Sequence, residues 1–411
     1  MALSRSINKL STLNSQLSTL NLINMLYRIF FLLLALLIVT DGYIYARFLH
    51  RIKRHRIIKQ FFWLPSIVLA ILLVFLTYGD NFSPARSYLI GIYLLVYMAI
   101  TIPKSLFCLC MLLGRFFRIF SRRMESVLFY TGLTVGFLSM AMVIYGATEG
   151  WRHFQVTQVT FASKDLPPAF DGYRIVQFSD LHIGTIAGYP KEVKRIVDIL
   201  NEQKADLVVF TGDLVNHKAN ELDKVETILS GIQAKDGVYS VLGNHDYSTY
   251  IHWETPEAQK ANLDDLKQRQ AHMGWKLLNN EHVIIKRDSS AIALVGVEND
   301  GEPPFPQLGD LPKALKGTDG LFKVLLSHDP THWRREVLPK SDIQLMLAGH
   351  THAMQFMIGH YTPAAWFYPE NRGMYLENGR GLYVNIGLGE VMLPFRFGAW
   401  PEFTVITLRC K

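Results

Sequence analysis

Four long apolar segments crowd the first 150 residues, and they restrict what this chain can fold into more than any other feature. They run over about Tyr27–Phe48, Phe61–Tyr78, Tyr88–Leu113 and Val127–Ala147. Each approaches or exceeds the roughly 20 residues with which a helix crosses a bilayer. A helix buried in a water-soluble core keeps a polar stripe, and these show almost none. The sequence therefore predicts a four-helix transmembrane region over residues 1–150 and a second domain over 151–411. Pro103 and Lys104 interrupt the third segment, where Lys104 is expected to snorkel toward an interface. Asp41, late in the first, is expected to reach an interface as well.

Charge divides at the same boundary. Residues 1–150 hold 15 lysines and arginines against four acids, whereas the remainder holds 27 against 31, so the overall +7 belongs to the apolar half. That balance argues against a nucleic-acid-binding surface on the second domain. The loop after the first segment carries Arg47, Arg51, Lys53, Arg54, Arg56 and Lys59 with no acid. The loop after the third carries Arg115, Arg118, Arg122 and Arg123 against Glu125, and the intervening loop is near neutral. The positive-inside rule places the first and third loops in the cytoplasm. The expectation is a multi-pass protein of the cell (inner) membrane with both termini, and the second domain, on the extracytoplasmic side. The first 24 residues show no small-residue cleavage site, so the first segment is read as an uncleaved anchor. The cysteines, Cys108, Cys110 and Cys410, build no disulfide framework.

From about Trp151 short apolar runs alternate with helix-like stretches such as "YPKEVKRIVDILNEQ" and "NELDKVETILSGI", which predicts a layered α/β domain. Five runs end alike. "YRIVQF" runs into Ser179-Asp180-Leu181-His182, and "ADLVVF" into Thr211-Gly212-Asp213. "GVYSVL" runs into Gly243-Asn244-His245-Asp246, "FKVLL" into Ser327-His328-Asp329, and "IQLMLA" into Gly349-His350-Thr351-His352. The carboxyl edge of strands in such sheets is where ligands bind. Carboxylates, imidazoles and one amide oxygen suit Mn²⁺, Fe or Zn²⁺. A single catalytic zinc uses about three protein ligands. At least seven converge here, which points to two ions about 3.5–4 Å apart that lower the pKa of a bound water and clamp a displacement at phosphorus.

D-x-H, G-D, G-N-H-D, an apolar run with His, then G-H-T-H, in this order, resembles the calcineurin-like metallophosphoesterase superfamily. Over about residues 155–409 the chain looks like its bacterial branch with membrane-spanning N-termini. The resemblance implies a four-layer α/β fold, a two-sheet β-sandwich flanked by helices. It also implies roles: Asp180, His182 and His352 on a first divalent ion, Asn244, His328 and His350 on a second, and Asp213 bridging. Metal-bound hydroxide would attack the ester, and His245 would serve the leaving-group oxygen. Relatives often have an Asp three residues after the bridging one, orienting the catalytic His. Asn216 stands there, so orientation is expected from its amide or from Asp246. Ala353 and Met354 replace the glycines common after the last ligand.

The implied substrate is a phosphate ester, lipid-linked or periplasmic. Aromatics between His360 and Trp400 offer packing or an apolar wall for a lipid or nucleoside, and Arg372 and Arg396 a bidentate phosphate clamp. Some relatives cleave UDP-2,3-diacylglucosamine during lipid A synthesis, which needs a cytoplasmic site. A non-catalytic membrane sensor or scaffold would be expected to lack a ligand, and none is missing. The remaining histidines, among them His217, His282, His332 and His360, carry no motif and are expected at the surface or in packing.

Overall fold

The computed structural model describes residues 28–50, 56–77 and 83–411. The expectations for the N-terminal segment, for Arg51, Lys53 and Arg54, and for the short loop at 78–82 lie outside the described residues. Two compact units are present, Met1–Asp80 with Leu89–Ile144 and Asn81–Tyr88 with Tyr145–Lys411.

The apolar region forms four helices long and apolar enough to cross a membrane: α1 (Arg28–Leu49), α2 (Arg56–Thr77), α3 (Pro84–Phe117) and α4 (Arg122–Thr148). Pro103 lies inside α3 without ending it. Gly132 and Gly136 let α4 approach α3, because a β-carbon at either would press on Phe107 or the Pro103 carbonyl. The structure corrects two expectations. Lys104 and Asp41 do not reach separately for water. Lys104 Nζ lies 2.7 Å from Asp41 Oδ1, with the Asp41 side chain fully buried, and 3.4 Å from Ser66 Oγ on α2. In a medium without water, opposite charges gain more by pairing than by stretching apart.

The second unit is a sandwich of two six-stranded sheets. Its strands are β1 (Gln155–Ser163), β2 (Arg174–Phe178), β3 (Leu207–Phe210), β4 (Val238–Ser240), β5 (Trp275–Leu277), β6 (Glu281–Arg287), β7 (Ser290–Gly296), β8 (Phe322–Leu326), β9 (Leu345–Ala348), β10 (Gly373–Glu377), β11 (Arg380–Val384) and β12 (Glu402–Cys410). One sheet runs β1-β12-β2-β3-β4-β5 and the other β10-β11-β9-β8-β7-β6. Pairing is parallel among β2, β3 and β4 and among β7, β8 and β9.

The central strands read as unbroken apolar runs because both faces are covered. Ile175, Leu207, Val209, Val324, Leu326, Leu345 and Leu347 pack between the sheets. On the outer face of the first sheet, Val176, Phe178, Val208 and Phe210 meet Val193, Ile196 and Leu200 of the helix Pro190–Glu202. On the outer face of the second, Leu325, Met346 and Ala348 meet Leu311, Trp333 and Val337. This is the helix-flanked four-layer fold. The stretch "NELDKVETILSGI" forms only two short turns, Ala219–Leu222 and Glu226–Leu229, rather than one helix. Glu221 is drawn away to accept from the backbone N–H groups of Asn216, His217 and Lys218.

Candidate metal centre

Because β2, β3, β4 run parallel in one sheet and β8, β9 in the other, their carboxyl ends open at one edge of the sandwich. The backbone turns sharply after β2, β3 and β9. Asp180, His182, Asp213, His350 and His352 all have positive φ, a conformation that non-glycine residues hold only where the surroundings impose it. Two glycines allow the crowding. A β-carbon at Gly243 would overlap the Asp213 carboxylate, and one at Gly349 would overlap Ser179 and Asp180.

All seven ligand-type side chains meet there, with His245 beside them. Asp180, His182 and His352 form one group, and Asp213, His328 and His350 another; His182, Asp213 and His245 join the two. In the first, His182 Nε2 lies 3.1 Å from His352 Nε2, and the latter 3.2 Å from Asp180 Oδ1. In the second, His328 Nε2 lies 3.1 Å from Asn244 Oδ1 and 3.3 Å from Asp213 Oδ2. Asn244 Oδ1 lies 2.9 Å from His350 Nδ1. Asp213 Oδ2 is also 3.5 Å from His182 Nε2, so this carboxylate stands between the groups.

Proton positions decide whether this donor set fits a cation. His328 Nδ1 donates to the Thr211 carbonyl at 2.7 Å. A neutral ring then has a bare lone pair on Nε2. Asn244 Nδ2 donates to the Tyr250 hydroxyl at 2.8 Å, which turns Oδ1 inward. His328 Nε2, Asn244 Oδ1 and Asp213 Oδ2 are thus three acceptors facing one another, and they need a positive charge among them. Without a cation a proton must supply it. Burial pushes the His328 imidazolium down, but Asp213 outweighs burial and holds the ring up at about 10. At Asp213 burial pushes the carboxyl up, and the His328 and His245 rings outweigh it and hold it well below the ordinary range. The residues fit a divalent ion, which would replace that proton. At His352 the pattern differs. Arg396 Nη2 lies 3.0 Å from Nδ1, so Nε2 is the nitrogen turned toward Asp180 and His182.

Neighbouring groups fix these side chains, not always as the sequence suggested. His245 Nδ1 donates to the backbone carbonyl of Asn216 at 2.9 Å, not to its amide. Asp246 does not touch the His245 ring. It accepts from the N–H groups of Gly243, Asp213, Leu214 and Val215, and so shapes the loop that presents Asp213. Burial, then the nearby Asp213 charge, raises Asp246 to about 7. Arg396 is no phosphate clamp. It is fully buried and donates to the carbonyls of Ile386, Gly389 and Ala399 as well as to His352. Arg372 faces His360 instead.

Sequence reasoning missed three residues that face the cluster. Tyr368 OH lies 2.9 Å from His350 Nε2, and the buried Asp329 Oδ2 lies 3.6 Å from the same nitrogen without another partner. Tyr250 holds Asn244 and packs on the His245 ring with centroids 4.4 Å apart. Asp329 was visible as the residue after His328; the tyrosines stand in loops with no motif. Asp300, His332 and Glu336 also cluster. Arg335 and Lys340 already bind those carboxylates, so that group is neutralised by the protein itself.

Comparison with known proteins agrees with this architecture. The family profile described as calcineurin-like phosphoesterase matches residues 173–354. That described as probable calcineurin-like phosphoesterase, transmembrane domain, matches 27–151. The uncharacterized metallophosphoesterase YkuE of Bacillus subtilis (strain 168) is 30% identical over 306 residues, 70% of this chain and 99% of that protein. The chain belongs to the calcineurin-like metallophosphoesterases.

Among relatives of this metallophosphoesterase is the transmembrane protein with metallophosphoesterase domain of Danio rerio. It is 30% identical over 283 residues, covering 66% of this chain and 61% of that protein. The chain thus spans about three fifths of that vertebrate relative. A shorter match, 38% identical over 100 residues, covers 23% of the metallophosphoesterase and 30% of UDP-2,3-diacylglucosamine pyrophosphatase LpxG of Chlamydia trachomatis serovar D. Family membership makes divalent-metal hydrolase chemistry the frame for the seven side chains, and four apolar helices give a membrane protein.

Proposed function

We propose that the strand-end cluster is a two-cation phosphoesterase centre. The observation that carries the reading is the meeting of His328 Nε2, Asn244 Oδ1 and Asp213 Oδ2, three groups that share no hydrogen once the His328 ring is neutral. Asp180, His182 and His352 would hold one ion, Asn244, His328 and His350 the other, with Asp213 between them. Mn²⁺, Fe or Zn²⁺ suits these donors. A bound pair of divalent ions supplies an ionised water near neutral pH and balances charge on the phosphate oxygens.

The chain's own groups do the rest. His245 is held by its backbone N–H on Asp213 Oδ1 and its Nδ1–H on the Asn216 carbonyl. Nε2 is thereby left to carry the proton that the departing oxygen takes. Asp246 keeps the Asp213 loop in place through four N–H groups. The membrane helices favour a phosphate ester that is lipid-linked or found at the extracytoplasmic surface. The resemblance to LpxG supports a second reading, cleavage of a UDP-2,3-diacylglucosamine-like pyrophosphate, which requires the domain on the cytoplasmic side.

Hydrolysis of nitrophenyl phosphate mono- and diesters by the full chain with Mn²⁺ tests the centre. Asp213→Ala is expected to lower kcat/KM by on the order of 10³-fold, about 4 kcal/mol of transition-state stabilisation. Activity that survives chelator, or that persists undiminished in Asp213→Ala, refutes the proposal. Reporter fusions after Glu149 separate the two substrates: an extracytoplasmic result supports the first, a cytoplasmic one the second.

A further inference from the structure

Beyond residue 150, the large apolar side chains are almost all buried, with one concentrated exception. Every described one that is more than half exposed lies between Ile358 and Met392. Ile358 is 58% exposed, Tyr361 86%, Trp366 81%, Phe367 68% and Met392 73%, with Met354 at 48% beside them; Leu376, at 70%, stands apart on β10. Single exposed apolar residues are ordinary; a contiguous group marks a surface that something covers. Burying a side chain of this size is worth about 1.5–3 kcal/mol, so holding several in water gives up a large stabilisation.

The exposure does not come from a slack loop. Thr362 Oγ1 bonds the Ala353 carbonyl and also accepts from Ala364 N, which caps the turn Pro363–Trp366. Ile358 N bonds the Tyr361 carbonyl at 3.0 Å, Met357 N the Phe397 carbonyl at 2.8 Å, and Tyr368 N the Ala364 carbonyl at 2.8 Å. Gln355 joins the segment to the one carrying Met392, accepting from Val391 N and donating to the Val391 and Leu393 carbonyls. The backbone is fixed and the side chains are held outward.

The chemistry selects what covers them. Trp, Tyr and Phe mixed with Ile and Met is the composition of side chains at the headgroup level of a bilayer. Residues 353–368 contain no carboxylate; their ionisable cation is His360, and Arg372 lies against it. An acid-free apolar surface with a basic base suits anionic phospholipid. The chain carries its own membrane-spanning helices, so a phospholipid surface is always at hand.

We propose that Met354, Ile358, Tyr361, Trp366, Phe367 and Met392 form a surface that enters the interfacial layer of a phospholipid bilayer. The same segment begins at the ligand pair His350 and His352 and returns to the cluster at Tyr368. An amphiphile lying in that layer would have its head group beside the site. The surface stands apart from the reaction: it needs lipid contact, not hydrolysis, so loss of the two-cation reading leaves it intact.

The test uses the full chain reconstituted in phosphatidylcholine–phosphatidylglycerol vesicles whose acyl chains carry shallow bromine atoms. The emission that Trp366→Phe removes is expected to be blue-shifted and quenched by the brominated lipid. Tyr361→Trp is expected to add a second quenched component. Trp63, within α2, is the internal control. If Trp63 is quenched while the Trp366 difference spectrum and the Tyr361→Trp component are not, the proposal fails. It fails equally if shielding of Trp366 disappears on dilution of protein in lipid, because the cover is then a second copy of the chain.

Discussion

Asp41 with Lys104 in the helical region, and Asp213 with its ring of histidines in the sandwich, are both charge placed out of reach of water, and they are resolved differently. The first is matched in charge, one acid and one base in a hydrogen-bonded pair at 2.7 Å on helical backbone, although Asp41 Oδ2 has no partner of its own. The second is open. Two carboxylates, an amide oxygen and four imidazoles share too few hydrogens, and the backbone that brings them together sits in left-handed turns. The lesson is that burial of charge alone does not mark a site. A mark of chemistry is a surplus of inward-facing acceptors, held by backbone that would relax if nothing required it.

The largest effect should come from breaking the closed pair on one side only. Asp41→Ala leaves Lys104 charged and unpartnered, and is expected to destabilise the folded chain by about 3–5 kcal/mol. The double change Asp41→Leu with Lys104→Met should recover most of that loss, read as thermal stability in detergent micelles. A double variant as unstable as the single one would show that the pair does more than neutralise itself. In the sandwich the contrast runs the other way: no apolar replacement of Asp213 and His328 together can restore the metal binding proposed for them.

Next is the support behind one proposed ligand. His350 presents Nδ1 to the cluster, so its Nε2–H is left for Tyr368 and Asp329. A carboxylate behind a ligating imidazole fixes its tautomer and orientation. Asp329→Asn is expected to weaken Mn²⁺ binding about 10–100-fold, measured by calorimetry on the full chain. Unchanged affinity would assign the buried carboxylate to Thr331, whose N–H and hydroxyl it already accepts.

What the chain disclosed in advance follows from the same contrast. The five strand ends were legible because each apolar run stops at a glycine, serine or threonine followed within two residues by side chains that a core does not otherwise use. The four membrane helices were legible from apolar length and the lack of a polar stripe. Partnerships across long separations were not. Asp41 and Lys104 stand 63 residues apart, and each taken singly looks able to reach water. Arg396 reads as an anion binder until the fold surrounds it with carbonyls. Asn216 was expected to act through its amide, yet its backbone carbonyl holds His245, a role that any residue could fill. Tyr250 and Tyr368 reach the cluster from loops whose course no local pattern records.

A smaller effect tests whether a proton stands in for the ion. The His328 ring is raised to about 10 because Asp213 outweighs burial. Below that value the ring is charged and cannot ligate, so proton and cation compete for one place. Apparent Mn²⁺ affinity should therefore rise with pH from the ordinary imidazole range toward about 10, by about tenfold per pH unit for each proton displaced. Proton release on loading, followed with a pH indicator in weak buffer, gives the count directly. An affinity flat between neutral pH and about 9 would show that no proton on His328 has to be displaced.

The smallest expected change concerns the backbone. His352, Ala353, Met354 and Gln355 lie consecutively at positive φ. The run continues the turn that begins at His350, where positive φ at His350 and His352 around a right-handed Thr351 sends the two proposed ligands to different groups, whereas a regular strand would send both to one face. Ala353 is buried, but the Met354 side chain is half exposed and supports no packing that explains φ 47° and ψ 31°. A left-handed non-glycine residue costs about 1–2 kcal/mol, partly offset here by the greater freedom that glycine brings to the unfolded chain. Met354→Gly should accordingly raise stability by roughly 0.5–1 kcal/mol with Mn²⁺ affinity unchanged. Met354→Val, with a branched β-carbon in the same conformation, should lower it. If glycine destabilises instead, the methionine side chain is holding the turn, and the strain belongs to the apolar surface rather than to the ligand pair.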